Sequence, residues 1–158
     1  MAPPESTPEA GSLKARLAAE MRDAMKARER VRLSALRLLS AAVKNREVEL
    51  RHPLSDEEFV EVAVREVKRR REAIESYEQV RRPDRAAQER EEADVLSAYV
   101  PEGLSDDEVT ALIEEAIAET GASGPGDFGK AMGYVMARAK GRVDGKTVQT
   151  LVRARLDA

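Results

Sequence analysis

After residue 11, apolar residues recur every three or four positions along nearly the whole chain, the period of helices with one buried face. Ser12 is placed to cap a first helix, in which Leu13, Leu17, Met21 and Met25 recur every four residues beside Ala24. A denser pattern follows in Val31, Leu33, Ala35, Leu36, Leu38, Leu39, Ala42 and Val43, a stripe wide enough to be buried on more than one side. No residue between Ala27 and Arg30 forbids a continuous helix. A break is nonetheless expected there, because an unbroken helix of ~35 residues would run ~50 Å, too long for so small a bundle.

His52-Pro53 ends this segment, and Leu54-Ser55-Asp56-Glu57-Glu58-Phe59 is a helix start. Ser55 and Glu58 form a capping box, with Leu54 and Phe59 as its hydrophobic staple. That helix is expected to reach about Val80, with Phe59, Ala63, Val67, Ile74 and Tyr77 inward. Pro83 interrupts, and a fourth helix runs from about Asp84 to Ala98. Tyr99-Val100-Pro101-Glu102-Gly103 forms a joint, after which the same start signal returns as Leu104-Ser105-Asp106-Asp107-Glu108-Val109. Val109, Leu112, Ile113, Ala116 and Ile117 mark a fifth helix, with Gly121 as its left-handed stop. Phe128, Met132, Val135 and Met136 define a sixth, beginning near Ser123. Asp144 caps a seventh, with Val148, Leu151, Val152 and Leu156 inward.

The expected fold class is therefore all-α. An N-terminal helical bundle of about four helices (residues 12–99) precedes a three-helix tail domain (residues 100–158). Residues 1–11, with Pro3, Pro4 and Pro8, read as a disordered tail.

Composition narrows the core chemistry. Only five aromatics occur (Phe59, Tyr77, Tyr99, Phe128, Tyr134) and there is no Trp, so cores must be built of Ala, Leu, Val, Ile and Met. That suits helix-on-helix packing. The absence of Cys excludes disulfides, thiolate catalysis and Cys-based zinc sites. No apolar run approaches the ~18–20 residues that span a bilayer, and no signal peptide is apparent, so a cytoplasmic protein without membrane contact is expected.

The net charge of −3 conceals an uneven layout. Residues 12–82 hold 18 Lys and Arg against 13 Asp and Glu, a net of +5. Residues 83–122 hold 2 against 12, a net of −10, and residues 123–158 hold 7 against 3, a net of +4. An acidic middle between basic ends bears on partners more than the total does.

Catalytic motifs fail on inspection. Gly124-Pro125-Gly126-Asp127-Phe128-Gly129 fits GxGxxG, and its extension to Lys130-Ala131 lacks the Ser or Thr that binds magnesium. Gly145-Lys146-Thr147 offers GKT, with Gly141 one residue too close. Both motifs work by leaving a strand and opening a helix, and no strand is predicted, so helix–helix turns explain them. His52 is the single histidine and reads as a solvated loop residue, while Glu91, Glu92 and Asp94 read as a solvated acidic helix. No catalytic residue, metal site or cofactor is expected.

Two basic groups remain. Lys68-Arg69-Arg70-Arg71 fills one helical turn, so its charges point all round, consistent with a solvated surface pairing with Glu66, Glu72 and Glu75. The C-terminal group is better organised. Lys140 and Arg142 flank Gly141, and Lys146, Thr150 and Arg153 share one face of the last helix. Amides at that helix start attract anions, although Asp144 at the cap opposes them. Gly141 and Gly145 would let another backbone come close. Phosphate contact and a plain solvated face both remain open for this group. Arg155 points toward the apolar side and is expected to bend outward near the chain end.

Three stretches carry a resemblance. The run Met25-Lys26-Ala27-Arg28-Glu29-Arg30-Val31-Arg32-Leu33 with Leu36-Arg37 is the first, and Tyr99-Val100-Pro101 with Leu104-Ser105 the second. The third is Gly129-Lys130-Ala131-Met132-Gly133 with Lys140-Gly141-Arg142-Val143-Asp144-Gly145. In that order they resemble the YqeY family, itself similar to the C-terminal helical and tail region of the B subunit of the tRNA-dependent amidotransferase. That enzyme, a carbon–nitrogen ligase using glutamine as amido-nitrogen donor, converts Glu-tRNA(Gln) or Asp-tRNA(Asn) to the amidated form. The resemblance implies a helical bundle followed by a tail that meets tRNA. It makes Lys130, Lys140, Arg142 and Lys146 candidate RNA contacts, to which the helix face adds Arg153. The amidotransferase's catalytic half and glutaminase have no counterpart here, so any such activity would need partner subunits. Gly124-Pro125-Gly126 departs from the family, where polar residues are usual, and leaves the start of the sixth helix open.

The expected function is thus a noncatalytic tRNA-binding or tRNA-amidotransferase-associated protein, with tRNA and translation or amidotransferase components as partners. The alternatives are a helical protein–protein adaptor docking through the acidic fourth and fifth helices, and a stand-alone enzyme acting on nucleotides through the glycine clusters. No aromatic platform accompanies the five tail cations in the sequence, so their contacts are expected to be with phosphate alone.

Overall fold

The computed structural model describes residues 12–139 and 141–158. The expected N-terminal tail and Lys140 lie outside the described residues. Among those described, every regular element is helical: α1 (Leu13–Lys26), α2 (Arg30–Leu50), α3 (Asp56–Gln79), α4 (Pro83–Ser97), α5 (Asp106–Thr120), α6 (Phe128–Ala139) and α7 (Gly145–Asp157), with a 3-10 turn at Pro125–Asp127. The chain divides into two compact units, residues 1–100 and 101–158.

In the first unit, α1 and α2 are separate helices. Ala27 closes α1, and Arg28 turns the chain through a left-handed conformation (φ 58°). Arg51 and Arg81 do the same after α2 and α3, at φ 61° and 55°. These places usually fall to Gly or Asn, because a Cβ in that conformation meets the following carbonyl oxygen. No glycine marks these three stops. Packing imposes them instead, since each helix must turn back to bury its own apolar face.

That buried face joins Leu17 and Ala24 of α1, Leu36, Leu39 and Val43 of α2, Phe59, Ala63 and Val67 of α3, and Leu96 with Tyr99 at the end of α4. The capping box at Ser55 forms as expected. Ser55 Oγ accepts from the Glu58 amide at 3.2 Å, and Glu58 Oε1 accepts from the Ser55 amide at 3.1 Å. Pro83 opens α4 at its first turn, where its missing N–H has no helical partner to lose.

Three expected inward residues face out. Met25 is 55% exposed, beyond the reach of the core where α1 ends. Val31 and Leu38 are 39% and 38% exposed, the uncovered edge of a stripe whose other members pack as α2 meets α1, α3 and α4. Ile74 and Tyr77 are half-buried, at the far end of α3 from the core.

In the second unit, Val109, Ile113 and Ala116 of α5 pack with Ala131 and Val135 of α6 and Val148, Val152 and Leu156 of α7. Ser105 closes the second capping box with Glu108, and Gly121 ends α5 at φ +69°. The sixth helix begins at Phe128 rather than near Ser123. Pro125 and Gly126 form a tight 3-10 turn first, and Asp127 Oδ2 accepts from the Ser123 amide at 3.0 Å, bracing the loop. Met136 and Leu151 are 37% and 40% exposed, not inward, because three short helices leave no second layer to cover them.

Candidate nucleic-acid interface

Among the described residues, the tail cations Lys130, Arg142, Lys146 and Arg153 sit on the last two helices and on the turn between them, and tertiary contacts give them different duties. Arg142 precedes α7. Its Nε donates to the Glu102 carbonyl at 2.9 Å, while its own carbonyl accepts from the Leu104 amide at 2.8 Å. Arg142 therefore clasps the segment leading into α5. The Ser105 amide and hydroxyl first, and then the Arg142 charge, hold the Glu108 carboxyl below its usual range.

Asp144 caps α7, its Oδ2 accepting from the Thr147 amide at 3.3 Å and the Thr147 hydroxyl at 2.9 Å. The helix N-terminus expected to draw an anion is thus already served by a carboxylate, and a phosphate there would meet its charge. Gly141 lies at φ +80°, so a turn only glycine adopts freely is what it supplies. Among the described residues, a Cβ on Gly145 would meet only the Met136 side chain, at 3.9 Å, and no second backbone.

Lys146 and Arg153 are exposed, two turns apart on one face of α7. Lys146 has no ion-pair partner among the described residues. The Arg153 guanidinium lies over the Phe128 ring, 4.9 Å from its centroid, beside a shallow recess lined by Pro125, Phe128, Leu156 and Asp157. Arg153 thus has an aromatic neighbour, with its guanidinium occupying the ring face. The two residues are 25 positions apart and meet only when α7 packs on the start of α6. Lys130 is exposed and loosely paired with Asp127 at 3.9 Å. Two residues beyond Phe128 on the same helix, it points ~200° away from the Phe128–Arg153 contact. Arg155 is exposed and grips Glu114 of α5 at 2.6 and 3.2 Å, which holds that carboxyl below its usual range. No group of three or more His, Asp and Glu able to hold a metal occurs among the described residues.

The N-terminal basic run behaves differently from its sequence reading. Arg70 turns inward between α3 and α4, its side chain 17% exposed, and meets Glu66 at 3.3 Å, Glu92 at 3.6 Å and Glu89 at 3.8 Å. Arg69 shares Glu66 at 3.1 Å. Glu66 and Glu92 are both buried, so neither Arg70 nor Glu92 belongs to a solvated surface. Burial first, and then the neighbouring Glu89 charge, push the Glu92 carboxyl up, although Arg70 draws it down. The spacing Glu66-Arg70 and Glu89-Glu92 is visible in the sequence, but only the packing of α4 on α3 puts the two pairs together. Part of the acidic α4 surface offered by the adaptor reading is consumed by this cluster. His52 is exposed, as expected, beside the Glu58 carboxylate at 3.6 Å.

The profile of the Yqey-like protein family matches residues 14–156. The chain belongs to this family. The YqeY-like chain is also 29% identical over 151 residues to the altered inheritance of mitochondria protein 41 of Pyrenophora tritici-repentis, covering 94% of this chain and 82% of that protein. It is 42% identical over 57 residues to the E subunit of the glutamyl-tRNA(Gln) amidotransferase of Thermococcus gammatolerans, covering 34% of this chain and 9% of that relative. One relative of this YqeY-like protein is thus named mitochondrial, and the other shares one short segment. No helix among the described residues is long and apolar enough to cross a membrane.

Proposed function

We propose that this YqeY-like chain is a noncatalytic RNA-binding protein associated with tRNA amidation, which contacts tRNA through its three-helix tail. The observation that carries the reading is the short segment shared with an amidotransferase whose name specifies a tRNA. The exposed cations Lys146 and Arg153 support it, since neither is spent on a carboxylate among the described residues. Lys130, Lys140 and Arg142 complete the contact set, with Arg142 also holding the turn. Residues 12–99 and 100–158 act in this proposal as a four-helix bundle and a tail that fold independently, in the cytoplasm. Catalysis of amidation would come from partner subunits.

The test is binding of labelled tRNA to the full chain at two salt concentrations. A phosphate-dominated contact loses affinity steeply with salt. No binding at low salt would overturn the proposal, and an adaptor role without RNA would then lead.

A further inference from the structure

The outward face of α2 repeats every seven residues. Arg30, Arg37 and Lys44 form one column along it, each exposed and each without an ion-pair partner among the described residues. Ser34 and Ala41 form a second, central column of small side chains. Val31 and Leu38 form a third, left 39% and 38% exposed. A shallow recess on this face is lined by Arg30, Arg37, Ser34, Ala41 and Leu38, with Leu33 beyond the cations. Seven residues advance ~10.5 Å along a helix, two turns, so each column is nearly parallel to the axis. The core-facing side of the same helix is fully used by Ala35, Leu36, Leu39 and Val43.

We infer that this face of α2 docks an amphipathic helix of a partner protein that carries carboxylates at heptad spacing. Small central residues let a second helix approach closely, the apolar column gives it hydrocarbon to bury, and the cationic edge fixes its register. The charge argues for an acidic partner. From Arg30 to Lys44 this face carries no Asp or Glu, whereas α3 alternates both signs along its exposed side. The apolar column argues for protein over nucleic acid, because none of the chain's five aromatics lies on α2 to stack a base. Heptad spacing of the cations matches side chains two turns apart on a facing helix.

The experiment uses the full chain and two helical peptides of about 21 residues, three heptads, with Leu at the a and d positions. One carries Glu at e and g, the other Lys. Fluorescence anisotropy is expected to give micromolar binding of the Glu peptide and at least tenfold weaker binding of the Lys peptide. Arg37→Glu with Lys44→Glu should reverse that preference, and Ala41→Trp should abolish docking by filling the central column. All three positions are exposed, and an unchanged helical spectrum and melting curve would show that the variants fold. Failure of the wild type to bind either peptide, equal affinity for both, or indifference to the reversal would overturn the inference. So would a dimer of the chain that Arg37→Glu dissolves, since the occupant would then be a second copy. Binding of tRNA that depends on Arg37 and ignores Ala41→Trp would reassign the face to RNA and overturn it equally.

Discussion

The Tyr99 hydroxyl donates a 2.5 Å hydrogen bond to the Glu20 carboxylate, joining the end of α4 to the middle of α1 across 79 residues. Tyr99 is buried against Phe59, ring centroids 5.8 Å apart, and the Arg16 guanidinium lies 4.5 Å from the Tyr99 ring centroid. Burial alone would raise the Glu20 carboxyl, but the bonds from Tyr99 and Arg16, with the nearby Arg32 charge, hold it below its usual range. Burial first, and the Glu20 bond second, push the Tyr99 hydroxyl well above its own.

Tyr99→Phe keeps the ring packing and removes one hydrogen bond to a charged group, so it should destabilise the fold by ~1.5–2 kcal/mol near pH 7. The pH dependence has two limbs. Glu20 is lowered on folding, so its contribution is present above the unfolded value of about 4.5 and is lost as pH falls through the folded one. Tyr99 is raised, so its contribution is full below about pH 10 and is lost as pH rises toward the folded value. Urea melts should therefore show the wild type losing its advantage over Tyr99→Phe above about pH 10. A constant difference between neutral and strongly alkaline pH would contradict this account.

Arg70 compensates the buried carboxylate of Glu92 and shares that of Glu66 with Arg69. Arg70→Ala should cost ~3 kcal/mol at neutral pH, the penalty of leaving buried charge unpaired. Glu92 is raised on folding, so its contribution is full below the unfolded value of about 4.5 and falls as pH rises through the folded one. Without Arg70 that fall steepens, and the deficit measured by denaturant titration should be smaller near pH 5 than near pH 7. Glu92→Gln, by contrast, should cost less than ~1 kcal/mol at neutral pH, because Arg70 keeps Glu66 and Glu89.

Three helices of the first unit end on an arginine in the left-handed conformation. Replacing Arg51 or Arg81 with Gly should raise stability by ~0.5–1 kcal/mol each, since glycine has no Cβ to strain there. Gly121→Ala, at φ +69°, should lower it by about 1 kcal/mol. Thermal melts of the three variants report the sign directly, and a destabilised Arg81→Gly would show that its side chain does more than end the helix.

Within the tail, Lys146→Ala should leave stability within ~0.5 kcal/mol of wild type, as its side chain is exposed and meets no carboxylate among the described residues. Arg142→Ala should cost up to ~1 kcal/mol by freeing the Glu102 carbonyl. If the tail binds tRNA phosphates, removing Lys130, Lys146 and Arg153 together should flatten the log–log salt dependence by about 2 to 3 units. An unchanged slope would take those three side chains out of the contact.

A fragment of residues 101–158 should keep its helices and melt cooperatively, because Val135, Val148 and Val152 are buried among the elements of that unit. A fragment found unfolded at room temperature by far-ultraviolet circular dichroism would show that the tail depends on the rest of the chain.

By itself the sequence determined where the helices lie, apart from the start of the sixth, which a 3-10 turn at Pro125–Asp127 delays to Phe128. The four-residue spacing of Leu13 and Leu17, the capping boxes at Ser55 and Ser105, Pro83 and Gly121 are local signals, and local backbone chemistry answers to them whatever the rest of the chain does. It also marked the break after Ala27, through the length a small bundle can hold. Only the tertiary structure decided which periodic residues are covered. Met25, Val31, Leu38 and Leu151 carry the right spacing and lie outside, because periodicity names a face and cannot say whether another helix reaches it. The same limit explains the charges. Arg70 reads as one of a solvated basic group until packing sets it against Glu66 and Glu92, and nothing in the sequence places Arg153 over Phe128. Glu92 is 22 residues from Arg70, and Phe128 is 25 from Arg153. No local pattern encodes an encounter between side chains that only folding brings within a few ångströms.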